Sequence, residues 1–343
     1  MNLEKFGWSD FFARQCIAGI PARVASACRE QFVVWTEDGD VDAWPSGALR
    51  HESPLWPAVG DWVMLREDGP VIDRVLERRT TLSRRQPGRE ASEQVLAANV
   101  DVLFIVSGLD RDYNPRRLER YLVVALESGA RPIILLNKAD LVEELGFDLN
   151  EVVRQTRALT GEGTVLPLSA ITDFSLDALA AELAPGETAA LVGSSGVGKS
   201  TIVNRLLGME RQRASAVRAG DNRGRHTTTA RELFMMPGGS LLIDMPGLRE
   251  VQLWAGDEAL DAGFGDIQEL AEACRFRDCT HLGEPGCAVV NAGLDEARLA
   301  NFHKMRRELE FLERKANPEL EQQTRAKWKA IHKAARRHPK GDW

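Results

Sequence analysis

The pattern of apolar and polar positions changes character twice along the 343-residue chain. Residues 1 to about 20 form a short amphipathic lead-in, with Phe6, Trp8, Phe11 and Phe12 as its apolar members. From Ile20 to about Ser83 the runs are short and alternating, as in Ala22–Ala25, Gln31–Trp35, Asp61–Leu65 and Val71–Val75. Turn signals such as Glu37-Asp38-Gly39-Asp40 and Asp68-Gly69-Pro70 separate them. Such runs predict about five strands, and five short strands in so little chain suggest a small barrel of the oligonucleotide-binding (OB) type. A polar, Arg-rich link follows at Arg84–Glu93. Beyond it, buried-strand runs alternate with helical spacing, the pattern of an α/β sheet. Predicted strands lie at Val100–Val106, Arg131–Leu136, Thr164–Leu168, Ala189–Val192 and Ser240–Ile243. Predicted helices lie at Pro115–Glu127, capped by Asn114, near Leu149–Leu159, and at Leu176–Leu183. Helical spacing with mixed charge resumes at Leu294, and a basic end follows Pro318.

Charge refines this picture. The formal net charge is −7, yet from Arg298 to Trp343 there are 13 Lys/Arg against 6 Asp/Glu. A basic tail on an acidic protein is a solvated helix end or a nucleic-acid contact. Trp35, Trp44, Trp56 and Trp62 either fill the small barrel's core or stack on bases. The start of the chain lacks a basic-then-apolar signal pattern, and no apolar run approaches bilayer length. A cytoplasmic chain with no membrane partner is therefore expected, and five cysteines in that setting point to thiols or metal ligands rather than disulfides. Cys16 and Cys28 stand alone and are expected to be packing residues.

The most informative stretch is Gly193-Ser194-Ser195-Gly196-Val197-Gly198-Lys199-Ser200-Thr201, which fits G-x-x-x-x-G-K-[ST]. Its glycines let backbone N–H groups turn inward around phosphate oxygens at a helix N-terminus. Lys199 is placed to reach the β- and γ-phosphates, and the Ser200 hydroxyl to bind Mg²⁺. Asn137-Lys138-Ala139-Asp140 ends a predicted strand and fits N-x-x-D with lysine second. A carboxylate at Asp140 can accept from both the ring N–H and the exocyclic amine of guanine, a pair that adenine lacks. Ser169-Ala170 offers a backbone donor to the guanine oxygen. Asp244-x-x-Gly247 suits an Mg²⁺-linked aspartate and a γ-phosphate-sensing glycine N–H. Within Gly224-Arg225-His226-Thr227-Thr228-Thr229, Thr228 or Thr227 is expected to cap Mg²⁺.

Two features of this set bear on mechanism. The base-reading loops precede the phosphate loop in the chain, the reverse of ordinary small GTPases. Directly after the sensing glycine stands Leu248, where many GTPases carry a water-orienting glutamine. An apolar side chain cannot orient water, so slow intrinsic hydrolysis is expected, with His226 or a partner supplying the catalytic group. His226 is equally placed to serve as a switch contact. Farther on, Cys274-x₄-Cys279-x-His281-x₅-Cys287 gives a Cys₃His set suited to one closed, structural Zn²⁺.

The order N-K-A-D, S-A, G-S-S-G-V-G-K-S-T, G-R-H-T-T-T, D-M-P-G and C-x₄-C-x-H-x₅-C resembles the bacterial circularly permuted GTPases of ribosome assembly, the RsgA or YjeQ family. The likeness spans nearly the whole chain. It implies a multidomain α/β protein: an N-terminal OB-fold-like β-barrel over residues 1–88, a circularly permuted P-loop GTPase domain over 89–255, and a mostly helical zinc-binding domain with a basic tail over 256–343. It also implies GTP and GDP as nucleotides, Mg²⁺, and binding to the small ribosomal subunit and its rRNA late in maturation, with hydrolysis stimulated by that subunit. A monomer is expected. Two other readings fit the residues: a guanine-nucleotide-gated RNA-binding scaffold in which turnover is incidental, and a P-loop kinase, against which Asn137 and Asp140 speak.

Overall fold

The computed structural model describes residues 3–51, 55–85, 93–110, 112–161, 163–208, 231–245 and 256–316. They fall into two compact units, Met1–Arg84 with Val95–Gln252, and Arg85–Gln94 with Leu253–Trp343.

In the first unit, β1 (Ile20–Cys28), β2 (Gln31–Thr36), β3 (Gly39–Pro45), β4 (Trp62–Leu65) and β5 (Val71–Val75) close on themselves in the order β1-β2-β3-β5-β4-β1. All contacts are antiparallel except β3–β5, where Trp44 lies beside Val71. Closure removes the exposed strand edges of so small a sheet. Alternate residues point inward, so Ala22, Val24, Phe32, Val34, Val63 and Ile72 fill the interior. The lead-in forms a turn of 3₁₀ helix at Leu3–Phe6 and a helix at Asp10–Ala13. Its Phe6 and Phe12 pack outside the barrel on fully buried Trp62. Trp35 is half-buried with its ring 5.0 Å from Phe6, whereas Trp44 and Trp56 are exposed. Cys16 and Cys28 are both exposed, against expectation. Cys28 ends β1 at a two-residue hairpin, where alternation turns it outward.

A short strand pair, β6 (Thr81–Arg85) with β7 (Glu93–Ala98), leads into the α/β part. There β8 (Val102–Gly108), β9 (Arg131–Asn137), β10 (Thr164–Pro167), β11 (Thr188–Gly193), β12 (Glu232–Met235) and β13 (Leu241–Asp244) lie in the order β10-β9-β8-β11-β13-β12. All neighbours are parallel except β12. Period-2 alternation splits the buried residues between two faces. Leu103, Ile105, Ile134 and Val192 lie on one side with Leu118, Leu122 and Val152 from the helices Pro115–Ser128 and Leu149–Thr160. Phe104, Leu135 and Leu191 lie on the other with Leu179, Ile202 and Val203 from Leu176–Ala181 and Lys199–Leu206. Both long helices are capped, the first by Asn114 as its sequence predicts and the second by Asp148. Asn114 accepts from Arg116 and Arg117 N–H, Asp148 accepts from Asn150 and Glu151 N–H, and Gly129 ends the first helix at φ 77°.

Barrel and sheet are joined within this unit. Ser26 of β1 pairs with Glu232 of β12, the edge strand. Fully buried Arg23, also from β1, donates to Thr188 Oγ1 at 2.7 Å, to Asn99 O at 3.3 Å and to Phe6 O. Burial pushes its guanidinium down to about 10, with Asp101 and Asp61 working the other way.

The second unit is helical over Asp257–Gly263, Gly265–Ala271, Ala288–Asn291 and Glu296–Ala316. Phe264 and Phe302 meet in its core with ring centroids 5.3 Å apart, and Ile267 and Met305 are fully buried. Buried Arg298 grips Asp266 through two hydrogen bonds, at 2.8 and 2.6 Å. Among the described residues no helix is long and apolar enough to cross a membrane.

Candidate functional site

The phosphate-loop residues leave β11, whose six residues are all buried, and turn into the helix Lys199–Leu206. The turn needs glycine. Gly193 sits at φ 146°, and a Cβ there would lie 2.2 Å from Val106 O. Gly198 sits at φ 99°, where a Cβ would lie 2.2 Å from Asn137 Nδ2. Lys199 Nζ donates to Gly193 O and Ser194 O, each at 2.6 Å, which folds the ammonium over the loop's first half. Ser200 and Thr201 open the helix and are exposed.

Asn137, at the end of β9, is buried and holds three loops together. Its Nδ2 donates to Val197 O of the phosphate loop at 2.7 Å, and its Oδ1 accepts from Ala170 N–H at 3.1 Å. Its own carbonyl accepts from Leu109 N–H at 2.7 Å. The amide therefore spends both ends on loops separated by 60 and 33 positions. Ser169 is fully buried, and its Oγ accepts from Thr172 N–H. Arg205, from the helix behind the phosphate loop, donates to Ala170 O at 3.2 Å and so steadies the same turn.

Lys138 adopts a left-handed backbone, φ 68°, and its Nζ is held by Asp110 Oδ2 at 2.5 Å. Partial burial opposes the Asp110 charge, and the hydrogen bond from Lys138 more than offsets it, leaving that carboxyl below the usual range. Ala139 and Asp140 continue in a single 3₁₀ turn, with the Asp140 side exposed. Asp244 is the last residue of β13, and pairing of Ala190 with Ile243 sets it beside the stretch of β11 from which the phosphate loop leaves. The sheet thus brings Asn137, Lys138, Ala139, Asp140, Ser169, Ala170, the phosphate loop and Asp244 to the C-terminal ends of its parallel strands. That is where ligands bind in open α/β sheets. His226, Thr227, Thr228 and Gly247 lie outside the described residues.

Sequence reading missed Asp110, Arg117 and Arg205. Each is a common residue type in a helix or turn, and only the tertiary partner gives it meaning.

In the second unit, the ligand atoms of Cys274, Cys279, His281 and Cys287 all lie within 4.8 Å of one another. Cys274 and Cys287 Sγ are 4.0 Å apart, and His281 Nδ1 lies 3.7 and 3.5 Å from them. A tetrahedral ion with Zn–S near 2.3 Å and Zn–N near 2.05 Å needs S···S edges of about 3.8 Å and S···N edges of about 3.6 Å. The cluster is compatible with zinc. Glu284 staples the turn, accepting from Thr280 and Leu282 N–H at 2.9 Å and from the Thr280 hydroxyl. That hydroxyl bond, with the backbone donors, holds its carboxyl down at about 2. His303 Nε2 lies 3.2 Å from His281 O and donates to it.

Sheet order, phosphate loop and base loop define the class: a circularly permuted P-loop GTPase. Residues 75–254 match the model of the RsgA GTPase family. The small ribosomal subunit biogenesis GTPase RsgA of Opitutus terrae is 45% identical over 100% of both chains. Among solved structures, YjeQ from Thermotoga maritima is 26% identical with a TM-score of 0.62, covering 84% of this chain and 98% of its own. YloQ, a circularly permuted GTPase, shares the fold at 23% identity and a TM-score of 0.61, covering 85% of this chain and 96% of its own. The chain belongs to the RsgA GTPase family, and it is a GTP hydrolase. The kinase reading is not favoured.

Proposed function

We propose that this GTPase binds the small ribosomal subunit and acts late in its maturation, hydrolysing GTP slowly until the subunit stimulates it. The 45%-identical relative from Opitutus terrae is named for biogenesis of that subunit. The observation that carries the nucleotide part is Asn137, whose one side chain ties the base loop to the phosphate loop and to Ser169-Ala170.

In this reading Asp140 accepts the two guanine N–H donors, and the Lys138 stem lies over the ring. Ser169-Ala170 supplies the backbone donor to the guanine oxygen, with the Ala170 N–H that Asn137 Oδ1 holds here shared between the two acceptors. Backbone N–H groups of Gly193–Thr201 surround the α- and β-phosphates, with Lys199 reaching the β- and γ-phosphates. Ser200, Asp244 and one of Thr227 or Thr228 would hold Mg²⁺, which when bound neutralises charge that develops on the phosphate oxygens. Gly247 N–H senses the γ-phosphate, and His226 is the group expected to order the attacking water. Cys274, Cys279, His281 and Cys287 would hold one Zn²⁺ with four protein ligands, and such an ion would stabilise the turn rather than take part in catalysis.

The barrel (1–88) and the zinc domain with its basic tail (256–343) flank the GTPase domain (89–255) as RNA-binding modules for rRNA. The protein works as a monomer in the cytoplasm. The test is GTP turnover with and without purified small ribosomal subunits. A marked rise with small but not large subunits supports the reading, and equal rates in both would end it.

A further inference from the structure

Resting on that nucleotide-site reading, we infer that Arg117 is a positioning residue for the phosphate loop, aimed by Asp112 and acting through the side chain of Ser194. The turn after β8 carries two ordered carboxylates. Asp110 Oδ1 accepts from Asp112 N–H at 2.9 Å, which fixes their spacing, while Asp110 Oδ2 holds Lys138. Asp112 Oδ2 takes Arg117 Nη1 at 2.7 Å, and the same Nη1 donates to Ser194 Oγ. One turn thus carries a cation at the base end of the site and a second at the phosphate end.

The backbone explains why the phosphate end needs such a prop. Gly193, Gly196 and Gly198 all have positive φ within six residues. Such a loop loses much conformational entropy when ordered. Asn137 holds its second half through Val197, and Lys199 lies on its first half through Gly193 and Ser194 carbonyls. Lys199 must also serve the phosphates, so its hold on the loop changes with occupancy. Arg117 instead grips the Ser194 side chain, from a helix whose first turn is fixed by the Asn114 cap. A solvent-touched Arg–Asp pair by itself is worth little. Its use here is direction: the two N–H bonds of Nη1 lie fixed in the guanidinium plane, one to the carboxylate and one to the hydroxyl, whereas a lysine ammonium on its shorter, freely rotating stem fixes neither angle nor reach. The contact with Ser194 links positions 77 apart.

The experiment is a double-mutant cycle on GDP affinity of the full chain, with R117A, S194A and the double variant. If Arg117 acts through Ser194, R117A weakens GDP binding five- to tenfold, S194A does much the same, and the double variant is no weaker than the worse single one. R117K recovers less than half of the loss. D112N, which leaves Arg117 in place but unaimed, gives a smaller loss that vanishes in the S194A background and serves if R117A fails to fold. Multiplying losses, or full recovery by R117K, would overturn the proposal. Lys199→Ala separates it from the site reading itself. If wild type does not bind GDP, or K199A binds it equally well, the nucleotide site is misplaced; if K199A abolishes binding and R117A does nothing, only the role of Arg117 is wrong.

Discussion

Asn137 shows how much one side chain can carry. Replacing it with alanine leaves Val197 O and Ala170 N–H without their partner in a buried place. Each such loss costs roughly 1–3 kcal/mol, less where water enters. N137A should therefore weaken GDP binding by at least tenfold in a titration while also lowering the denaturation midpoint. His226 was legible as a motif neighbour, and its role is tested by chemistry: H226A should retain GTP binding and lose at least tenfold in subunit-stimulated turnover. Unchanged stimulated turnover would leave His226 a switch contact only. At this scale the sequence was informative wherever chemistry forces residue type and spacing together, as in the phosphate loop, Asn137 to Asp140 and the Cys₃His set. Arg117 and Asp110 were invisible because an arginine in a helix and an aspartate in a turn have many ordinary uses, and their partners lie 77 and 28 positions away.

Among elements, the long helices and buried parallel strands were readable from caps and apolar runs. Of the short strands, β4, β5, β10 and β13 were readable too, but β3 and β12 were not. β3 reads as acidic and loop-like, with Asp40 and Asp42 exposed on alternate positions, and it becomes a strand only because β2 and β5 offer partners. β12 has four residues and completes its pairing through β13 and the barrel. Arg23 ties β1 to β11, to Asn99 and to the lead-in at Phe6 from inside. R23A would orphan the Thr188 hydroxyl and leave a cavity, so the first unit should lose roughly 3 kcal/mol in urea unfolding. In the second unit Asp266 gives a pH signature. Burial works to raise its carboxyl, and the two Arg298 hydrogen bonds more than reverse this, so it titrates below its ordinary value. A carboxyl lowered on folding adds stability above its unfolded value near 4, and that stability is lost as pH falls through the folded value. D266N should therefore be less stable at pH 7 by about 1 kcal/mol and show a shallower loss of stability below pH 4.

For the molecule as a whole, permutation changes chain order but leaves the sheet's C-terminal edge intact. In the chain the base loop comes before the phosphate loop; in the sheet β9 and β11 flank β8, and Asn137 closes the gap between their loops. The barrel was expected from its run of short strands, but its β1–β12 contact with the sheet could not be read from sequence, since it depends on strand partners far apart in the chain. In the proposed site these dispersed loops enclose one guanine base, read by Asp140. Calorimetric titration of wild type and D140N with GDP, ADP and xanthosine diphosphate reads that recognition without intermediaries. Wild type should bind GDP at least a hundredfold more tightly than ADP, and D140N should shift preference to the xanthine nucleotide, whose carbonyl meets the amide donor. Comparable affinity of wild type for GDP and ADP, or a D140N profile identical to wild type, would contradict it.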